Sequence, residues 1–255
     1  MTGCCTLSAV PVRAEPGHRS EMINQLLFAD TYHVLSEQNG WLRIATFHDG
    51  YEGWIHSNQH TPLKTKPEKE TVARQPAVVY DLVSLISYQG RTVLITCGTS
   101  LPEFDGLNFR LVKEKITFNG QAVKAGQSNI TMVEKIASRF LGVPYLWGGR
   151  SPFGIDCSGF TQVVFKFMGV NMPRDAYQQA VQGEIVNFVS ETKPGDLAFF
   201  SNEEGKIIHV GIVLSDERII HASGRVRIDR LDHFGIFNQE IGKYTHQLKI
   251  IKRVV

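Results

Sequence analysis

No apolar run in this 255-residue chain reaches membrane-spanning length, so the sequence offers no candidate transmembrane helix. Charge is scarce and balanced. Lys and Arg number 27 against 25 Asp and Glu, a net +2, and basic residues form nothing beyond short pairs, which removes the electrostatic case for a nucleic-acid partner. Cysteine is sparse as well. Cys4, Cys5, Cys97 and Cys157 show no C-x-x-C spacing, and the adjacent Cys4 and Cys5 are poorly placed to bridge each other, so reduced thiols are expected rather than a disulfide framework. The opening M-T-G-C-C-T-L-S-A-V lacks the basic start and apolar stretch of a secretory signal, and a cytoplasmic protein is the expectation. What the chain does have, 42% hydrophobic and 20% charged residues, suffices to bury a core in one large or several small domains.

The most informative segment is P-Y-L-W-G-G-R-S-P-F-G-I-D-C-S-G-F, Pro144 to Phe160, where a glycine-rich loop turns into a helix. Phe160, Val163, Val164, Phe167 and Met168 recur at helical spacing and Gly169 ends the run. Asp156 stands where an N-cap belongs, which puts Cys157 in the first turn. There, unpaired N–H groups and the positive end of the helix dipole favour a thiolate and are placed to hold an oxyanion, so a lowered thiol pKa and preferential alkylation of Cys157 are expected. A lone cysteine is more often a small buried apolar residue than a catalyst.

Two histidines change that balance. I-I-H-V-G-I-V-L, Ile207 to Leu214, reads as a buried strand and R-I-I-H-A, Arg218 to Ala222, as its return. A turn centred on Ser215 would set His209 directly opposite His221, on one face of the hairpin. With Cys157 they make a nucleophile, a base and an orienting third member. A zinc site from the same three residues is disfavoured, because no close ligand pair with zinc-type spacing exists. No metal or cofactor is called for.

The D-C-S-G-F helix start, the W-G-G loop, P-G-D-L-A-F-F at Pro194 to Phe200 and the H-V-G-I-V strand occur together here, and in that combination the region from Asn129 to Val255 resembles the NlpC-type cysteine peptidases of bacterial cell-wall peptides. The resemblance implies a papain-like core and cleavage between γ-D-glutamyl and a diamino acid. Cys157 would be the nucleophile, His209 the base and His221 the third member, a position at which that family accepts several polar types.

Upstream, the pattern changes to short strands. Thr31 to Leu35, Trp41 to Thr46 and Gly53 to His56 are separated by Q-N-G and D-G turns and suggest a small barrel. A lysine-rich connector begins at Thr61. Ala77 to Ser87, Thr92 to Cys97 and Leu111 to Phe118 give further strand signal, and Thr131 with Glu134 reads as a capping box opening an amphipathic helix. S-E-M-I-N-Q-L-L-F-A-D at Ser20 to Asp30 and G-Y-E-G-W-I at Gly50 to Ile55 resemble the bacterial SH3-like barrels fused to NlpC-type enzymes that act as γ-D-glutamyl-diamino acid dipeptidyl-peptidases on free wall peptides. In that subgroup a glutamate and a tyrosine of the first barrel bind the free amine of an N-terminal L-alanine; by motif position these are Glu21 and Tyr51.

The expected architecture is therefore α+β: a first SH3-like barrel over residues 1–60, a linker over 61–75, a second SH3-like β unit over 76–126 and a papain-like, NlpC-type catalytic domain over 127–255. Glu21 with Asp156 would pair with a substrate ammonium, and a blocked amine would strand those acids. P-R-D-A-Y, Pro173 to Tyr177, resembles the segment whose aspartate and following residue, Asp175 and Ala176, bind substrate backbone. Arg174 is either a partner for the glutamate α-carboxylate or a helix cap. Ser158 either contacts substrate or helps cap its helix. Gly148 and Gly149, with Tyr145 and Trp147 as walls, either admit a bound peptide or serve turn and core packing. The expected partner is a murein peptide, with neither nucleic acid nor membrane. A secreted endopeptidase whose barrels bind wall polymer, and a non-catalytic wall-peptide binder, are the alternatives.

Overall fold

Residues 1–63, 76–127 and 130–255 are described by the structure, a computed structural model. They fall into two units, Met1–Gln127 with Trp147–Pro152, and Ser128–Leu146 with Phe153–Val255. The segment Trp147–Pro152, expected in the catalytic domain, thus groups with the N-terminal residues.

In the first unit a period of two governs burial. Strand β2, Ala9–Arg13, hides Val10 and Val12 and leaves the alternate residues half-buried. With β1 (Thr2–Cys4), β3 (Met22–Leu27), β4 (Thr31–Gln38), β5 (Trp41–Thr46), β6 (Glu52–His56) and β7 (Thr61–Leu63) it forms an antiparallel sheet ordered β3-β2-β6-β5-β4-β1-β7. This sheet wraps a core that includes Val10, Val12, Leu26, Tyr32, Ile44 and Ile55, the SH3-like barrel expected from the sequence. The Q-N-G signal holds: Asn39 and Gly40 both have positive φ, 49° and 79°, and turn β4 into β5.

The chain continues as β8 (Ala77–Val79), β9 (Val83–Tyr88), β10 (Arg91–Thr96), β11 (Ser100–Leu101), β12 (Asn108–Leu111), β13 (Glu114–Thr117) and β14 (Ala122–Lys124), in small sheets β10-β9, β11-β8-β14 and β12-β13. Leu111 to Phe118, read as one strand, is instead part of a hairpin turning at Val112, whose φ of 59° a β-branched residue rarely adopts and no turn signal announces. Phe28 and Cys4 share a core with Val79, Tyr88, Ile95 and Phe109, so these β elements form one unit with the barrel. The connector expected over 61–75 begins as β7; its residues 64–75 lie outside the described residues. Strand β15, Arg150–Ser151, completes the unit, with the Arg150 N–H donating to Gln25 Oε1 at 2.9 Å and its guanidinium to Asp30 at 3.2 Å.

The second unit opens with helix α1, Ile130–Arg139, which buries Val133, Ile136 and Ala137. Ile130 is already helical, so Thr131 sits inside the first turn rather than capping it. Strand β16 (Gly154–Ile155), helix α2 (Cys157–Phe167) and helix α3 (Ala176–Gln179) follow. Then come β17 (Glu184–Val186), β18 (Leu197–Ser201), β19 (Ile207–Val213), β20 (Arg218–Ser223), β21 (Arg225–Leu231), β22 (Gly235–Asn238) and β23 (Lys243–Arg253). The sheet order is β17-β23-β18-β19-β20-β21-β22, and β22 also pairs with β23, closing β18 to β23 into a six-stranded barrel. Helix α2 lies against β19 and β20. Its burial on nearly all sides, Phe160, Val163, Val164, Phe165 and Phe167 included, reflects that central position. The class is α+β, as expected.

The hairpin register differs from expectation. Gly211, not His209, faces His221, because the turn centres on Asp216, with Asp216 and Glu217 both left-handed at φ 60° and 53°. A displacement of two residues preserves the face, so both imidazoles still point the same way.

Candidate active site

Asp156 has extended backbone, and its carboxylate accepts the Gly159 N–H at 2.7 Å, capping α2. Capping places Cys157 at the first helical position, where backbone N–H groups have no partner within the helix. A carboxylate buried at that point needs a counter-charge. Arg174, 2% exposed, supplies it through both guanidinium termini, with Nη1 3.0 Å from Asp156 Oδ1, and the same Nη1 donates to Ser158 Oγ at 2.9 Å. Arg174 is therefore committed to the cap and does not stand open to a substrate carboxylate; it is a positioning residue, and Ser158 joins that network.

The thiol of Cys157 lies against the backbone N–H groups of Val210 and Ser158. Burial, reinforced by the Asp156 charge, nevertheless pushes it up to about 12, the reverse of the lowering expected from the helix start. Desolvation wins because Cys157 is only 5% exposed and the adjacent fixed charge on Asp156 is negative. Tyr145, half-buried beside Cys157 and Asp156, is raised chiefly by burial, with the Asp156 charge adding to it.

His209 Nε2 is 2.8 Å from His221 Nδ1, and His221 Nε2 is 3.0 Å from Asp229 Oδ2. Arg227 grips Asp229 from the other side, Nε at 2.6 Å and Nη2 at 2.9 Å. Burial works to raise Asp229, but the hydrogen bonds from His221 and Arg227 prevail and hold it below the usual carboxylate range. An ionised carboxylate only accepts, so the tautomers follow in sequence. His221 carries its proton on Nε2, its Nδ1 accepts from His209 Nε2–H, and His209 Nδ1 keeps its lone pair. Burial, then the neighbouring rings of His221 and His246, keep His209 well below its ordinary pKa, and burial likewise lowers His221 despite Asp229. The free site is thus a neutral thiol beside a neutral imidazole.

Asp229 and His246 escaped the sequence reading. Asp229 had a faint signal, since Arg225, Arg227 and Asp229 alternate along the strand after His221. His246 had none: it sits far along β23 and reaches His209, at 4.2 Å between ring centroids, because β18 pairs with both β23 and β19.

Other expected residues are placed as follows. Asp175 caps the short α3 through a capping box with Gln178, and Ala176 is buried as its first residue. In the first unit, the exposed Glu21 carboxylate accepts from Trp147 Nε1 at 2.6 Å. Trp147 and Tyr145, expected as two walls, belong to different units. Tyr51 is half-buried, with its N–H donating to Thr46 Oγ1 at 3.0 Å. Gly148, at φ 77°, brings its backbone against Met22, whose carbonyl oxygen would lie 2.4 Å from any Cβ there, so tight packing within the unit accounts for that glycine.

A capped helix that starts on a cysteine, packed on a barrel strand that carries a carboxylate-terminated histidine pair, defines a cysteine hydrolase. The chain belongs to the NlpC/P60 family of cysteine peptidases: residues 142–243 match that family, and residues 8–59 match the bacterial SH3 domain. It is 34% identical over 217 residues to the γ-D-glutamyl-L-lysine dipeptidyl-peptidase of Bacillus subtilis, an alignment spanning 78% of this chain and 71% of that protein. It is 25% identical over 251 residues to dipeptidyl-peptidase 6 of Lysinibacillus sphaericus, across 86% and 88% of the two chains. In fold it is similar to the crystal structure of an NlpC/P60 family protein from Bacillus cereus, with TM-score 0.80, 20% identity and coverage of 100% and 99%.

Proposed function

We propose that this peptidase hydrolyses the bond between γ-D-glutamate and the diamino acid of murein peptides whose N-terminal L-alanine is unblocked, releasing L-Ala-D-Glu as a step in recycling those peptides. The observation that carries the reading is the ordered row Asp229–His221–His209, which leaves a lone pair on His209 Nδ1 that the reading assigns to the Cys157 thiol proton. The resemblance to the γ-D-glutamyl-L-lysine dipeptidyl-peptidase named above supports the choice of bond.

In this mechanism Cys157 Sγ attacks the γ-carbonyl of D-glutamate as its proton passes to His209 Nδ1. First-turn N–H groups of α2 stabilise the oxyanion. His209 then protonates the departing amine of the diamino acid, leaving a thioester that water resolves with His209 again as base. His221 and Asp229 hold the tautomer and stabilise the imidazolium that forms in between.

Recognition of the free amine is proposed for Glu21 and Tyr51. In support, the Trp147 indole fixes one Glu21 oxygen and leaves the other to accept. Because Glu21 is exposed in the free chain, the energy at stake is that of a charge-assisted hydrogen bond, about 1.5–3 kcal/mol, rather than a stranded buried acid. Mass spectrometry of products from L-Ala-γ-D-Glu-L-Lys and its meso-diaminopimelate counterpart, free and N-acetylated, tests the reading. Expected are L-Ala-D-Glu from the free peptides and a loss of about tenfold or more in kcat/KM on acetylation, narrowed in Glu21→Gln. Equal rates on free and acetylated peptides would return the barrel to binding polymer.

A further inference from the structure

Three imidazoles converge behind the thiol, and the mechanism uses two. His246 stacks on His209 with 28° between ring planes, and meets His221 edge-on at 5.5 Å. One nitrogen from each ring lies within 4.8 Å of the other two. The remaining nitrogens are largely assigned: His221 Nε2 is engaged by Asp229, and His246 Nδ1 by Thr245 Oγ1 at 2.8 Å. That leaves His209 Nε2, His221 Nδ1 and His246 Nε2 as a donor set.

We propose that His209, His221 and His246 form a binding site for a divalent transition-metal ion of zinc type, and that its occupation reversibly switches the peptidase off. Neutral imidazole is the ligand such ions prefer, and three of them with a water make a four-coordinate site. Burial keeps all three rings in that form, pushing His246 down to about 4. Asp229 behind His221 supplies the carboxylate–histidine–metal arrangement that orients a ligand and strengthens it. Zinc–nitrogen bonds of about 2.0–2.1 Å in a tetrahedron set ligand nitrogens about 3.4 Å apart. Reaching that geometry takes opening the 2.8 Å His209–His221 contact and rotating the His246 ring out of its stack on His209, so that its nitrogen turns toward the ion. A cavity of about 840 Å³, lined by Ile208, Phe234, Tyr244, Thr245, His246 and Leu248, gives the cluster a way to solvent through His246.

Inhibition follows from the tautomer. When the ion takes the Nε2 lone pair of His209, the single ring proton sits on Nδ1, so no lone pair faces the thiol. The proton count of the ring is unchanged, the His209–His221 hydrogen bond is exchanged for metal–nitrogen bonds, and nothing is oxidised or reduced. The proposal is independent of which peptide bond the enzyme cleaves, because binding is measured without substrate.

The test titrates zinc sulfate into chelator-treated full-length Cys157→Ser, in which the thiol is no longer a ligand. Calorimetry should give one ion per chain in the micromolar range or tighter, and cobalt(II) should give tetrahedral visible bands without a sulfur charge-transfer band in the wild-type protein. His246→Phe keeps a stacking ring and loses the nitrogen. Its zinc affinity, and in otherwise wild-type enzyme its sensitivity to zinc inhibition relative to its own metal-free rate, should fall by more than the roughly 10–100-fold that removal of an outer-shell partner costs. Loss of zinc binding in Cys157→Ser, a sulfur–cobalt band in the wild type, or undiminished affinity in His246→Phe would each overturn the site.

Discussion

The two flanks of the catalytic unit solve opposite electrostatic problems. On the helix side, Asp156 is paired with a guanidinium that never loses its charge, so Cys157 sits beside a permanent ion pair. On the barrel side, Asp229 is also held by a guanidinium, that of Arg227, but it reaches His209 only through His221, and burial keeps both rings neutral. Fixed charge therefore caps the helix that starts at Cys157, and in the proposed mechanism movable protons activate the thiol. Preparing the base as a neutral, correctly tautomerised imidazole costs no ionisation in advance, and the charge separation appears only as substrate is attacked.

Removing the groups that react should have the largest effect. Cys157→Ser is close to isosteric and should abolish turnover while the chain stays folded. His209→Ala should lose a comparable amount, about 10³-fold or more in kcat, since members of one catalytic unit are not additive. His221→Ala should cost less than either. Single-turnover assays on the tripeptide check all three, and retention of more than a few per cent of activity in Cys157→Ser would remove it as nucleophile.

The far end of the row comes next. Asp229→Asn presents an amide that can donate to His221 Nε2, which reverses the tautomers and places the His209 proton on Nδ1. A fall in kcat of about 10²–10⁴-fold with KM little changed is expected, since the substitution acts on activation and leaves recognition alone. A rise in KM at constant kcat would instead make Asp229 a binding residue.

The opposite flank should show itself in stability. Arg174→Met leaves Asp156 buried without its counter-charge, and denaturant unfolding should register a loss of about 3–5 kcal/mol. A loss below about 1 kcal/mol would mean that the cap does not need the guanidinium.

The same division explains what the sequence revealed. On the helix side everything is local: the cap at Asp156, the first-turn Cys157 and the stop at Gly169 lie within one helix-length stretch of sequence, and a period of three to four shows them directly. Arg174 was noticed with its two roles, substrate partner or helix cap, left open, because sequence cannot show that a neighbouring carboxylate is buried. On the barrel side, His209 and His221 were found through a hairpin, although the three-residue turn through Ser215, Asp216 and Glu217 shifted their pairing by two residues. Asp229 needed one more strand of pairing, and His246 needed the pairing of β23 with β18, which sets Phe200 between Leu248 and His209, a contact between distant segments that no periodicity announces. Burial strength was equally invisible, which is why the helix start alone suggested a lowered thiol pKa when desolvation in fact raises it.

The most direct test of this account is the rate at which iodoacetamide alkylates Cys157, followed by peptide mass spectrometry across pH in the absence of substrate. Because a raised pKa keeps the thiol protonated until strongly alkaline conditions, the account predicts a rate that is slow at neutral pH and climbs continuously through the alkaline range toward a thiol near 12. A plateau of fast alkylation extending from mildly acidic through neutral pH would show a thiolate already formed against a protonated His209, and would contradict the neutral pair on which the contrast between the two flanks rests.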